Sequence, residues 1–210
     1  MQYIAAPKFI ITLIPKVGTR TLLHTFVRKP KHDFGAVLTG AVSHLNTNER
    51  YKVVFIRNPF DRMLSCYINK VKFASPTIER FFWKLYGLNG DMTFADFVHH
   101  LGTCGVDEHW RPQVDYVNGL NHDHIGILEN MESDLKDIMQ RLELPFSLDV
   151  PHLNYSDNER VTYVKKKHYL DKKKEKVKEV ELDEYYTDEL REIVRKRYAK
   201  DFLLYESVAG

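Results

Sequence analysis

Lys16, Gly18, Thr19 and Thr21 stand close together in one stretch, and Arg57 and Ser65 form a second group further along the chain. Those residue types suit the binding of a phosphate or sulfate group. A lysine supplies a point charge, threonine hydroxyls and loop amides supply donors, and a glycine lets backbone approach an anion closely. An arginine adds a planar fork that matches phosphate oxygens, and one charge-assisted hydrogen bond of this kind is worth about 1.5–3 kcal/mol. For the first group two readings stand side by side: an anion site, or an ordinary turn in which Lys16 is simply exposed. It is not a Walker A loop, because its lysine precedes the only glycine and no Lys-Ser or Lys-Thr follows, which disfavours an ATP or GTP hydrolase.

The elements that must position these residues can be read from the flanking patterns. The apolar run from Phe9 to Ile14 predicts a strand, Pro15 to Thr21 a loop, and Leu22, Leu23, Phe26 and Val27 the apolar face of a helix. A strand that feeds a helix aims unpaired N–H groups and the positive end of the helix dipole at one point. The β-branched run Tyr51–Ile56 predicts a second strand ending at Arg57, with Asn58 as helix N-cap, Pro59 in the first turn and Ser65 about two turns in. His124–Glu129 predicts a third strand, followed by a helix with Met131, Leu135, Ile138, Met139 and Leu142 on one face. Such alternation predicts an α/β fold with a central parallel sheet flanked by helices, which binds ligands at the carboxyl ends of its strands.

A lysine-before-glycine loop after one strand, with Arg57-Asn58-Pro59-x-x-Arg62-x-x-Ser65 after a later one, resembles the sulfotransferases that use 3′-phosphoadenosine 5′-phosphosulfate (PAPS). The chain is most similar to the glycan branch of that family. The resemblance implies a P-loop-like three-layer fold in a single domain over residues 1–210. It also implies that the loop of Pro15, Lys16, Val17, Gly18, Thr19, Arg20 and Thr21 grips the 5′-phosphosulfate, while Arg57 and Ser65 grip the 3′-phosphate. His109-Trp110-Arg111-Pro112-Gln113 is similar to a string in the same branch. There, either His109 or Arg111 touches a polar group near the acceptor, or Trp110 packs in the core and His109 caps a helix. The turn Pro151–Ser156 and the ending Tyr198-x-x-Asp201-Phe202 also resemble the family, so the likeness covers nearly the whole chain.

Sulfuryl transfer to a hydroxyl needs a base, and imidazole suits that task because its ordinary pKa of about 6.5 lies near working pH. Family members commonly place the base between the first helix and the strand that ends at the 3′-phosphate arginine. His32 is the first candidate there and His44 the second, against the reading that each is a surface-loop histidine. The branch's His-x-His pair is missing here. Lys16 would meet the charge that develops on the leaving phosphate oxygen. The lysine clusters at 165–167 and 172–174 alternate with glutamates, as a solvated helical face would; the sharper reading has Arg160 or the first cluster closing over the 3′-phosphate and the second drawing in an anionic polysaccharide.

Elsewhere the aromatic stretch with Phe81, Phe82, Trp83 and Tyr86 predicts core or a helical wall beside an acceptor cleft. Thr93–Leu101 predicts a capped helix on which the adjacent His99 and His100 point apart and make a poor metal pair. Leu190, Ile193, Val194, Arg197 and Tyr198 predict a packed final helix that runs on to Phe202. Residue types across the 210-residue chain, 43% hydrophobic, provide ample core for one domain. The net charge of +2 is too small to argue for nucleic acid. Cys66 and Cys104 form no disulfide framework and no zinc spacing, and Cys66 reads as a buried thiol. No metal is required by the chemistry. With neither a bilayer-length apolar run nor a signal-peptide pattern, the chain is expected to be a soluble cytoplasmic enzyme, the alternative being the excised luminal domain of a Golgi membrane enzyme.

The expected activity is therefore transfer of a sulfuryl group from PAPS to a carbohydrate hydroxyl, leaving PAP. Transfer to a small alcohol, phenol or protein tyrosine is the alternative within the family. A non-catalytic module that binds PAP or an anionic glycan is the alternative outside it.

Overall fold

The computed structural model describes residues 1–28, 36–39, 49–74, 76–145 and 182–210. In chain order the elements are β1 (Gln2–Ala5), β2 (Phe9–Leu13), α1 (Thr19–Leu23), β3 (Ala36–Thr39), β4 (Tyr51–Ile56), α2 (Pro59–Tyr67), α3 (Pro76–Tyr86), α4 (Phe94–His100), α5 (Gln113–Val117), β5 (His124–Ile127), α6 (Met131–Arg141), α7 (Leu182–Tyr185), α8 (Asp188–Arg197) and α9 (Ala199–Ala209). They fall into two compact units. One comprises 1–58, 111–153 and 200–210, the other 59–110 and 154–199.

The first unit carries a five-stranded sheet in the order β3-β1-β2-β4-β5. β2 pairs in parallel with β4, with Thr12 opposite Val54, and β4 pairs in parallel with β5, with Ile56 opposite Ile127. β1 runs antiparallel to both β2 and β3, so four strands share one direction and one opposes them. This corrects the expectation of a wholly parallel sheet that opens at Phe9. The chain enters on β1, turns at residues 6–8, where the Ala6 N–H donates to Phe9 O, and returns as β2. Such a hairpin needs no crossover, which is why an antiparallel neighbour can be added in so few residues.

Every residue of β2 is buried, as a strand covered on both faces requires. Ile11, Leu13, Val53, Phe55 and Ile56 pack with Leu135, Ile138 and Met139 of α6, and Phe9 meets Phe26 edge-on at 5.4 Å between ring centres. α6 buries the same stripe, Met131, Leu135, Ile138 and Met139, that its sequence spacing predicts.

A buried threonine and a half-buried histidine pair within this unit. Thr12, 2% exposed, shares a 2.8 Å hydrogen bond with His122 Nε2. Burial pushes the His122 imidazole down from 6.5 to about 4, so the fold holds the neutral ring. The unfolded chain takes up a proton near pH 6.5 and the folded one only near 4, so stability from this site is complete above 6.5 and drains as pH falls between those values. Urea titrations at pH 7 and pH 5 should differ by about 1–2 kcal/mol more in the parent than in His122→Gln. An equal difference in both would remove His122 as the cause.

The second unit packs around aromatic rings. Phe94 lies 4.8 Å from Tyr186 and 5.4 Å from Tyr67, and Tyr186 donates from its hydroxyl to Phe60 O at 3.0 Å. Trp110 is fully buried, meets Tyr86 at 5.0 Å and Phe82 at 5.7 Å, and donates from Nε1 to Gly105 O at 3.0 Å. Phe82 and Tyr86 are thus half-buried against the Trp110 ring, whereas Phe81 is 78% exposed. Cys66 is a fully buried thiol. α4 begins with a reciprocal cap: Asp96 N–H donates to Thr93 Oγ1 at 3.1 Å, and Asp96 Oδ2 accepts from Thr93 N at 2.9 Å. His99 and His100 diverge as expected, the latter bonding to Tyr86 O at 2.7 Å. The final helix of the sequence reading is interrupted. It leaves α-helical geometry at Tyr198 (φ −111°, ψ 29°), whose hydroxyl donates to Trp110 O at 2.7 Å, and resumes as α9.

Candidate active site

The loop between β2 and α1 turns sharply. Lys16 has φ +71° and Gly18 φ +61°, both left-handed, and the Val17 N–H closes onto Ile14 O at 3.2 Å. For Gly18 the conformation is natural, and the packing also demands it. A Cβ there would stand 2.7 Å from Met131 Cε and 3.0 Å from Leu128 Cδ1, so the turn after β5 presses directly on the loop. For Lys16 a left-handed conformation costs about 1–2 kcal/mol, and strain of this kind collects where a side chain must be held in one place.

The remaining loop residues divide by environment. Val17 is buried in the core, so it offers a ligand only its backbone. Pro15, Lys16 and Thr19 are half-buried, Arg20 is exposed, and Thr21 is 8% exposed. Thr19 donates its hydroxyl hydrogen to Ile14 O at 2.7 Å, closing the base of the loop, so in this arrangement it offers an incoming anion no proton. The N-terminus of α1 follows at once, with Gly18 as N-cap.

Arg57 follows β4, the strand beside β2, so Lys16 and Arg57 lie beyond the carboxyl ends of neighbouring parallel strands. The structure brings them together: Arg57 Nη1 donates to Lys16 O at 3.3 Å. Ser65 lies half-buried on α2, in the second unit. His32, His44 and Arg160 lie outside the described residues, as do the turn at 151–156 and both lysine clusters. Among the described residues no group of histidine, cysteine, aspartate and glutamate could hold a metal ion.

Two residues that the sequence reading left without an assigned part complete this end of the sheet. Gln113, 1% exposed, brackets the backbone of Arg57: its Oε1 accepts from Arg57 N at 2.9 Å and its Nε2 donates to Arg57 O at 2.8 Å. Asp201, 1% exposed, accepts from Gln113 N at 2.8 Å and Val114 N at 3.0 Å. Pro112, at the N-cap of α5, has no side-chain donor or acceptor, so the Asp201 carboxylate takes the capping role from 87 residues away. Both positions fall in strings for which the sequence showed a family likeness. That likeness was the available signal; the partners were not readable. In the same string as Gln113, Trp110 is packed in the core, and His109 Nδ1 pairs with Asp107 Oδ1 at 2.5 Å rather than capping a helix.

Chemically, a strained lysine, a glycine turn and an arginine fork side by side can receive an anion with two charged ends. The model of the sulfotransferase family matches residues 6–206, nearly the full length. The chain belongs to the sulfotransferase family. Carbohydrate sulfotransferase 9 of Homo sapiens is 27% identical to this chain over 174 residues, which are 73% of this chain and 39% of the human protein. Carbohydrate sulfotransferase 14 of Danio rerio is 30% identical over 118 residues, 48% of this chain and 32% of the relative. The Mus musculus protein of the same name is 23% identical over 120 residues, 50% of this chain and 31% of its own length. The chain therefore lies close to the carbohydrate branch of the family and spans less than two fifths of the length of the curated relatives it matches. No solved structure matches it. No helix among the described residues is long and apolar enough to cross a membrane.

Proposed function

We propose that this chain is a P-loop-like sulfotransferase that transfers a sulfuryl group from PAPS to a hydroxyl of a carbohydrate acceptor. The reading is carried by the meeting of Lys16 and Arg57, 3.3 Å apart through Arg57 Nη1 and Lys16 O, at the ends of adjacent parallel strands. A nucleotide with a phosphate at each end needs two cationic groups at one end of the sheet, and these two residues carry an ammonium and a guanidinium there. Family membership and the carbohydrate sulfotransferases among the relatives support the donor and the acceptor class.

In this scheme Lys16 and the loop amides hold the phosphosulfate in line. The acceptor oxygen attacks sulfur as the bond from sulfur to the bridging phosphate oxygen breaks. Lys16 neutralises the charge left on that oxygen, and a fixed cation there costs no reorganisation during the step. The acceptor proton passes to a base, for which His32 is proposed ahead of His44. Arg57, with Ser65 and Arg160, takes the 3′-phosphate.

The test is incubation with ³⁵S-labelled PAPS and a panel containing desulfated glycosaminoglycans, neutral oligosaccharides, a simple phenol and a tyrosine peptide. Label on a glycan is the expected result. Label confined to the phenol or peptide would move the acceptor class, and calorimetric PAP binding with no transfer to any acceptor would make the chain a binding module.

A further inference from the structure

We infer that Gln113, held by Asp201, is a positioning residue that sets Arg57 for the 3′-phosphate; the inference rests on the proposed donor. β4 ends at Ile56, and Arg57 is the first residue beyond it, so its backbone must be held by something other than the strand itself. The Gln113 amide meets both backbone groups of Arg57, accepting from its N–H at 2.9 Å and donating to its carbonyl at 2.8 Å, as a neighbouring strand would. Glutamine can do this because an amide carries both an acceptor and a donor, whereas an ionised carboxylate only accepts.

The amide would swing if its own backbone were loose. Asp201 prevents that by accepting from Gln113 N and Val114 N with two carboxylate oxygens, fixing the first turn of α5 to the first turn of α9. A continuous chain of hydrogen bonds thus runs from Asp201 through Gln113 to the Arg57 backbone, and from the Arg57 guanidinium to Lys16 O. All four residues belong to the same compact unit. Its end point is the direction of the guanidinium. A fork that must meet a phosphate in two bonds loses most of its advantage when its backbone can rotate.

The consequence is selective. Loosening Arg57 should harm recognition of the 3′-phosphate more than recognition of the adenosine and 5′ end. Calorimetry of the full chain with adenosine 3′,5′-bisphosphate and with adenosine 5′-monophosphate gives a preference ratio for the 3′-phosphate. Gln113→Leu should lower that ratio about tenfold, since it leaves two polar groups unmet. Gln113→Glu, nearly the same shape, should lower it as well, because its carboxylate faces the Arg57 carbonyl. Asp201→Asn should lower it by a smaller factor.

A merely structural role would lower the melting temperature, or weaken both nucleotides equally, with the ratio unchanged, and that result overturns the inference. Should the leucine variant fail to fold, the glutamate variant decides by the same ratio. If the parent protein shows no preference for the bisphosphate at all, it is the reading of Arg57 as the 3′-phosphate residue that falls. A parent preference kept in full by the glutamate and asparagine variants rejects the positioning role alone.

Discussion

Replacing Lys16 by alanine is expected to lower turnover with labelled PAPS by about 10²–10³-fold while the far-UV circular dichroism stays that of the parent. The size follows from the job proposed for the residue. Removing one preorganised charge partner from a developing oxyanion costs about 3–4 kcal/mol in comparable group transfers, and the nucleotide's other contacts do not replace it. The left-handed backbone of Lys16 allows a control that most lysines would not. Alanine keeps the strain of φ +71° and loses the charge; glycine loses both. If the defect comes from the missing ammonium group, Lys16→Gly is as inactive as Lys16→Ala and slightly more stable. Recovery of activity in the glycine variant would mean that loop geometry, rather than charge, was what alanine disturbed. A rate within a few-fold of the parent in both variants would remove Lys16 from the chemistry.

What could be read from the sequence was whatever leaves a periodic trace. β2 and β4 are largely buried apolar runs followed by Lys16 and Arg57, and α6 repeats its apolar residues at helical spacing, so these elements stand where the pattern puts them. The Thr93–Asp96 cap is a local motif and was equally visible. β1 and β3 are four residues each, too short to show an alternation, and their pairing is decided by neighbours in space. The break at Tyr198 was hidden because Tyr198 fits a helix by composition; what stops the helix lies with distant partners such as the Trp110 carbonyl.

The candidate site divides in the same way. Charge and residue type marked out Lys16 and Arg57, because anion recognition needs those groups whatever the fold. The left-handed turn at Lys16 was not legible, since nothing about a lysine announces a positive φ. Nor was the bracket on Arg57: Gln113 is 56 residues from Arg57 in sequence and Asp201 is 88 from Gln113, and only the sheet and α5 bring them together. Thr19 has a partner that its residue type did not announce. Its hydroxyl suggested a ligand donor, and the fold uses its proton to close the loop on Ile14.

Arg57→Ala should weaken adenosine 3′,5′-bisphosphate by about 10–100-fold in calorimetry, the worth of one to two charge-assisted bonds to phosphate. Arg57→Lys should fall between, because it restores the charge without the fork. The alanine variant has a second consequence that a pure 3′-phosphate residue would lack. Arg57 Nη1 also holds Lys16 O, so its removal frees the loop that carries the proposed leaving-group cation, and turnover at saturating donor should drop as well. The two substitutions are therefore coupled: in the double variant Lys16→Ala, Arg57→Ala, the loss in turnover should be smaller than the product of the single losses, since each already disables part of the same loop. Multiplicative losses would mean that the 3.3 Å contact has no part in turnover, and an unchanged affinity in Arg57→Ala would place the 3′-phosphate elsewhere.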